Sequence, residues 1–169
     1  KAIVSRIANV IKDGRIRLVD MASGVGHYLF ASQSSTHPLK WYLYSSKKNK
    51  LVLIGSRNDR LEKYTMRERM PVRFKARDGL EIEAYMTLPG DVVKGLVINP
   101  HGGPELREVW GFDHWAQLLA HHGYAVIQPN FRGSTGYGRA FNESAIKQLR
   151  TAKITHERKR ILTPLIQFI

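Results

Sequence analysis

Three zones of this chain differ in character, and the first bounds what it can fold into. Between residues 15 and 57 apolar residues come in short runs, 15–20, 27–33, 39–46 and 50–56, rich in Val, Ile, Leu, Tyr and Phe. Ser23-Gly24, Thr36-His37-Pro38 and Lys47-Lys48-Asn49 separate them. This spacing predicts four short strands with turns between them, about the size of one propeller blade. A lone blade cannot bury both faces, so the stretch implies neighbours beyond itself. Trp41, Tyr42 and Tyr44 fit packing within the blade better than a stacking platform. Gly24-Val25-Gly26 lacks the third glycine and the helix of a dinucleotide fingerprint, and reads as a turn.

Residues 58–69 are charged and weakly helical, as in a linker. Runs 72–76 and 81–88 flank Arg77-Asp78-Gly79, and Asp-Gly between two alternating runs predicts a hairpin. Residues 95–99 form a continuous apolar run, which predicts a buried strand. Spacing over 112–122 predicts a helix with Trp115, Leu118 and Leu119 on one apolar face, Asp113 as cap and Gly123 as a left-handed stop. A second buried strand follows at 124–128. Strand, helix and strand with short connections predict a right-handed crossover in a parallel sheet.

Composition excludes some functions and leaves others open. The 169 residues carry a net charge of +13 and no cysteine, so disulfides and thiolate metal sites are absent. No apolar run approaches the roughly 20 residues of a membrane span. Residues 1–10 have neither an apolar h-region nor a small-residue cleavage site. A chain starting at Lys1 is expected to have lost its native start, and a cytoplasmic location is the default. Residues 146–169 carry Lys147, Arg150, Lys153, Arg158, Lys159 and Arg160 against Glu157 alone. No nucleic-acid motif accompanies this charge, which reads as scattered rather than as a binding surface. His114, His121 and His122 do not stand at ligand spacing, so no metal and no cofactor are expected.

The chemistry concentrates in Asn99-Pro100-His101-Gly102-Gly103-Pro104, directly after the apolar run. Functional groups of open α/β sheets gather at the carboxyl ends of strands. Two glycines there let the backbone approach a substrate and aim N–H groups at it. Lipase-like α/β-hydrolases build half an oxyanion hole from such a turn, while a plain tight turn is the alternative.

Residues 72–89 followed by 95–104 (GLVINPHGGP), together with 130–138 (NFRGSTGYG), resemble the prolyl oligopeptidase family of serine peptidases, nearest its acylaminoacyl-peptidase and dipeptidyl-peptidase branch. The resemblance spans roughly residues 15–145. It implies the end of a β-propeller and linker over 1–66, the start of an α/β-hydrolase domain over 67–145, and a basic tail over 146–169 outside the family pattern, as a frameshift would leave. It implies no cofactor, a peptide or acyl-peptide substrate in the intact parent, and neither nucleic acid nor membrane as partner. The backbone amides of Gly102 and Gly103 would help hold the oxyanion. His101 would act as a structural hydrogen-bonder, and Arg132 would brace its loop or meet a substrate carbonyl or terminus. Some branches add a tyrosine hydroxyl, which has no counterpart next to this turn. No serine stands in Gly-x-Ser-x-Gly; Ser134, in Arg132-Gly133-Ser134-Thr135-Gly136, comes nearest. The expected protein is therefore a truncated peptidase lacking its triad. A lipase-like esterase fragment and a basic nucleic-acid-binding protein remain the alternatives.

Overall fold

The structure, a computed structural model, describes residues 2–146 apart from Asp13, Ser23, Asp91 and Pro104. The basic tail expected over 146–169 therefore lies, beyond Ile146, outside the described residues. The chain divides into two compact units: one running to Glu68 with Gly111–His114 added, the other holding Arg69–Trp110 and the chain from Trp115 on.

The first unit is a four-stranded antiparallel meander in the order β1 (Arg15–Ala22), β2 (His27–Gln33), β3 (Lys40–Ser45) and β4 (Lys50–Ser56). Its turns follow the predicted punctuation. Asn49, in the β3–β4 turn, holds φ 46°, a conformation that asparagine tolerates better than branched residues. The Tyr44 hydroxyl donates to Asn49 Oδ1 at 2.9 Å and ties the turn to the strand.

Residues 2–10, for which the sequence reading predicts no element, form helix α1 (Ala2–Val10). Ile7 and Ile11 join Phe30 and Tyr44 in a buried cluster, with Ile3, Val4, Ile16, Tyr28, Tyr42 and Leu51 around it. One face of the sheet is thereby covered. Leu43 and Val52, paired across the strands, are exposed. Beyond β4, a 3₁₀ turn at Asp59–Lys63 occupies the charged stretch read as a linker.

The second unit contains β5 (Arg69–Lys75), β6 (Glu81–Thr87), β7 (Gly95–Ile98), α2 (His114–His121), β8 (Tyr124–Asn130) and the short α3 (Arg139–Glu143). Its sheet runs β5-β6-β8-β7, with β5–β6 and β6–β8 antiparallel and β7–β8 parallel. Ala84, Met86 and Ile127 form the core, packed with Met70, Val72, Phe74, Leu88, Leu96 and Ile98.

Two expectations are corrected. The run at 95–99 does form a strand, but its residues are only half-buried. Among the described residues β7 is an edge, bonded to β8 alone. In α2 the buried residues are Ala116, Gln117 and Ala120, while Trp115 (67% exposed) and Leu118 face out. Apolar residues lie nearly all round this helix, so hydrophobicity alone does not choose a face. Small side chains allow the closest approach of a helix to its neighbours, and the two alanines mark that side. Gly123 does end the helix: its φ is +92° and its N–H donates to Ala120 O at 3.0 Å.

Candidate functional site

The parallel pair β7–β8 delivers two loops to the same end of the second unit's sheet. The chain leaving β7 runs through His101, Gly102 and Gly103; the chain leaving β8 runs through Phe131, Arg132, Gly133 and Ser134. Both glycines of the first loop are exposed. Gly103 has φ +86°, and a Cβ there would meet Leu106 Cγ at 3.1 Å, so its glycine is conformationally required. Gly102 differs. A Cβ built on it meets nothing within 4 Å. The front of the turn is thus open at Gly102.

His101 is held on three sides. Its ring stacks on Phe131, with centroids 4.4 Å apart and planes 17° from parallel. Nδ1 lies 2.8 Å from the carbonyl oxygen of Gly102, and Nε2 lies 2.8 Å from Ser134 Oγ. Ser134 is fully buried, and its hydroxyl lies 2.6 Å from Phe131 O, to which it can donate. A buried hydroxyl held in this way is poorly placed to attack a substrate.

Arg132 braces its loop. It is nearly buried, and its Nη2 donates to Asp78 Oδ1 at 2.8 Å and Oδ2 at 2.7 Å. Asp78 lies in the β5–β6 turn, where it also accepts from the Leu80 N–H. The hydrogen bond from Arg132 holds the Asp78 carboxyl below the usual carboxylate range.

A polar network behind the loops was not legible from the sequence. Asn130 accepts from the Glu108 N–H at 2.7 Å and donates to Glu108 O and to the Tyr137 hydroxyl. Tyr137 donates onward to Glu83 Oε1 at 2.8 Å. Burial, and then that carboxylate, raise its hydroxyl above the usual phenol range. Arg69, almost fully buried over the Tyr85 ring, donates to Val109 O and pairs with Glu108 at 2.7 Å. The connection from 105 to 110 is thereby fastened to β5, β6 and β8. Apart from Asn130 and Tyr137, 7 residues apart, the bonded partners of this network lie 22 to 54 residues apart, so no local spacing announces them. The one sequence signal was the density of polar residues in NFRGSTGYG.

The sequence matches the Prolyl oligopeptidase family over residues 110–156. It is 32% identical to dipeptidyl peptidase family member 6 of Caenorhabditis elegans, over 79% of this chain and 21% of that protein. It is 33% identical to dipeptidyl aminopeptidase BIII of Pseudoxanthomonas mexicana, over 69% of this chain and 18% of that one. The chain belongs to the prolyl oligopeptidase family.

The fold agrees with that membership. An acylaminoacyl peptidase of Pyrococcus horikoshii superposes with a TM-score of 0.66 over 92% of this chain and 25% of its own, at 22% identity. An acylaminoacyl peptidase solved with a peptide chloromethyl ketone gives 0.56 over 79% of this chain and 22% of its own, at 25% identity. The chain spans about a fifth of the length of the curated family members it matches. No serine of this family member stands in a Gly-x-Ser-x-Gly elbow. No helix among the described residues is long and apolar enough to cross a membrane.

Proposed function

We propose that this chain carries the junction between the last propeller blade and the start of the α/β-hydrolase domain of a serine-type peptidase. The intact parent would cleave short peptides or acyl-peptides by acyl transfer. Within it the backbone amides of Gly102 and Gly103 would hold the oxyanion, with His101 and Arg132 supporting the turn and its neighbouring loop. The chain itself would be catalytically silent.

The observation that carries this reading is the exposed, open-fronted glycine turn at the carboxyl end of β7. In acyl transfer the carbonyl oxygen gains negative charge as the tetrahedral intermediate forms. N–H groups already aimed at that oxygen stabilise the charge without reorganising. Such donors accelerate nothing unless a nucleophile stands opposite, and the sequence supplies no elbow serine. Relatives named as dipeptidyl peptidases, and a related structure holding a peptide chloromethyl ketone, support peptides as the substrate class.

Two experiments test it. Fluorophosphonate should leave the chain unlabelled; stoichiometric labelling at Ser134 would overturn the inactive reading. Residues 70–145 grafted into an intact relative should support turnover. Gly103→Ala, which displaces the turn, should then lower kcat about tenfold to a thousandfold with little change in KM. Unchanged kcat per folded molecule would reduce the glycines to turn formers.

A further inference from the structure

Four polar side chains of the first unit meet at one cleft and have no partner there. Gln33, Arg57, Asn58 and His114 line it with Pro38, Leu39 and Phe112, around a volume of about 320 Å³. All seven residues belong to the first unit. Among the described residues, none of the four polar side chains makes a hydrogen bond or an ion pair. No carboxylate lines the cleft: Asp59 and Asp113, next in sequence to Asn58 and His114, are not part of its walls.

Local structure presents each group. Gln33 ends β2, and Gly111, at φ +153°, comes so close that a Cβ there would run into the Gln33 carboxamide. Only glycine lets the chain before Phe112 approach in this way. Arg57 follows β4. Its N–H donates to Leu39 O at 2.8 Å, which fixes the backbone while the residue stays exposed. Asn58 is the N-cap of the 3₁₀ turn at Asp59–Lys63, yet its side chain makes no capping bond. An asparagine in that position ordinarily gives its oxygen to the first turn; this one is left for another partner. The His114 ring stands edge-on to Phe112, with centroids 5.6 Å apart and planes at 66°.

A concave site with an apolar wall and a few convergent polar groups is the usual form of a small-molecule site, and about 320 Å³ lies at the small end of that range. The chemistry of the walls selects the ligand. A guanidinium with no carboxylate beside it is a two-pronged receptor for one. A carboxamide both donates and accepts, which matches the N–H and C=O of a peptide unit. We infer that this cleft binds the free carboxyl end of a short peptide. The carboxylate would lie on Arg57 with His114 donating to it, the last peptide unit on Gln33 and Asn58, and the last side chain against Pro38, Leu39 and Phe112. This goes beyond the oxyanion reading and does not rest on it, since no residue of the glycine turn takes part.

The test is proton–nitrogen NMR on the whole chain, titrated at constant ionic strength with N-acetyl-alanyl-leucine, with its C-terminal amide and with acetate. The free acid should shift the Gln33, Arg57, Asn58 and His114 amides saturably, with a Kd on the order of 1 mM. The capped peptide lacks the charge and acetate lacks the peptide unit, so each should bind about fivefold more weakly or worse. Arg57→Gln should weaken the free acid by a similar factor and leave the capped peptide as before, while the Phe30 and Tyr44 amides in the sheet stay in place. Asn58→Ala should weaken both peptides. Titrations that never saturate, or a capped peptide that binds as well as the acid, would overturn the inference. So would acetate binding as tightly as the peptide acid, or either variant binding like the original chain. The oxyanion reading stands or falls separately, on kcat of the grafted enzyme.

Discussion

Asp78 is half-exposed, yet it neutralises an almost fully buried guanidinium, and this asymmetry sets what its loss would do. Removing the carboxylate strands Arg132, whose Nε already lacks a partner among the described residues. Asp78→Ala should therefore cost about 1–2 kcal/mol, more than an exposed ion pair is usually worth, measurable by urea denaturation. The pH dependence follows from the lowered carboxyl. Its contribution is complete above the ordinary carboxylate range and is lost as pH falls through the depressed folded value. Solvent screening keeps that acid loss below about 1 kcal/mol, and Asp78→Asn should remove it from the pH profile of stability. The two glycines should separate as sharply. Gly103→Ala forces a side chain into positive φ against Leu106 and should lower stability by about 1–3 kcal/mol. Gly102→Ala meets open space and should stay within about 0.5 kcal/mol in the same assay.

At the scale of elements, the cover of the first sheet rests on α1. Ile7 is 1% exposed against Phe30 and Tyr44, so Ile7→Ala should destabilise the first unit by about 2–5 kcal/mol. An unchanged denaturation midpoint would show that α1 contributes nothing to its stability. The four strands of this unit were legible because turn residues punctuate apolar runs of strand length, and β5–β6 because Asp78-Gly79 specifies a hairpin. Helix α1 left a fainter trace: Ile3, Val4, Ile7 and Ile11 recur at helical spacing, but four of its nine residues are Ile or Val, whose branched side chains lower helix propensity. The inward face of α2 was misread because Trp115 and Leu118 outweigh two alanines in hydrophobicity but not in closeness of fit. Of the candidate site, the glycine turn was legible from its own residues. The ties among Glu83, Glu108, Asn130 and Tyr137 were not, since long-range pairing of polar groups leaves no period in a sequence.

For the molecule as a whole, each unit exposes apolar surface of its own. In the first, Leu43, Val52, Leu53 and Ile54 are open; in the second, Val92, Leu106, Val109, Trp115 and Leu118. Exposed apolar surface of this kind favours association. The chain should enhance the fluorescence of an apolar dye such as anilinonaphthalene sulfonate, and Val52→Lys with Leu118→Lys should reduce the signal. Dye fluorescence no higher than that of a compact control protein would contradict this. The strand order has a further consequence, in time rather than in space. Ile98 pairs with Ile127, and Met86 on the other flank also pairs with Ile127. β8 is thus the keystone between strands made earlier. At translation rates of about 5–20 residues per second, the roughly thirty residues separating β7 from its partner take about 2–6 seconds to emerge. Throughout that interval Leu96, Val97 and Ile98 have no strand to join, and a nascent chain paused there would present them to any chaperone at the ribosome exit.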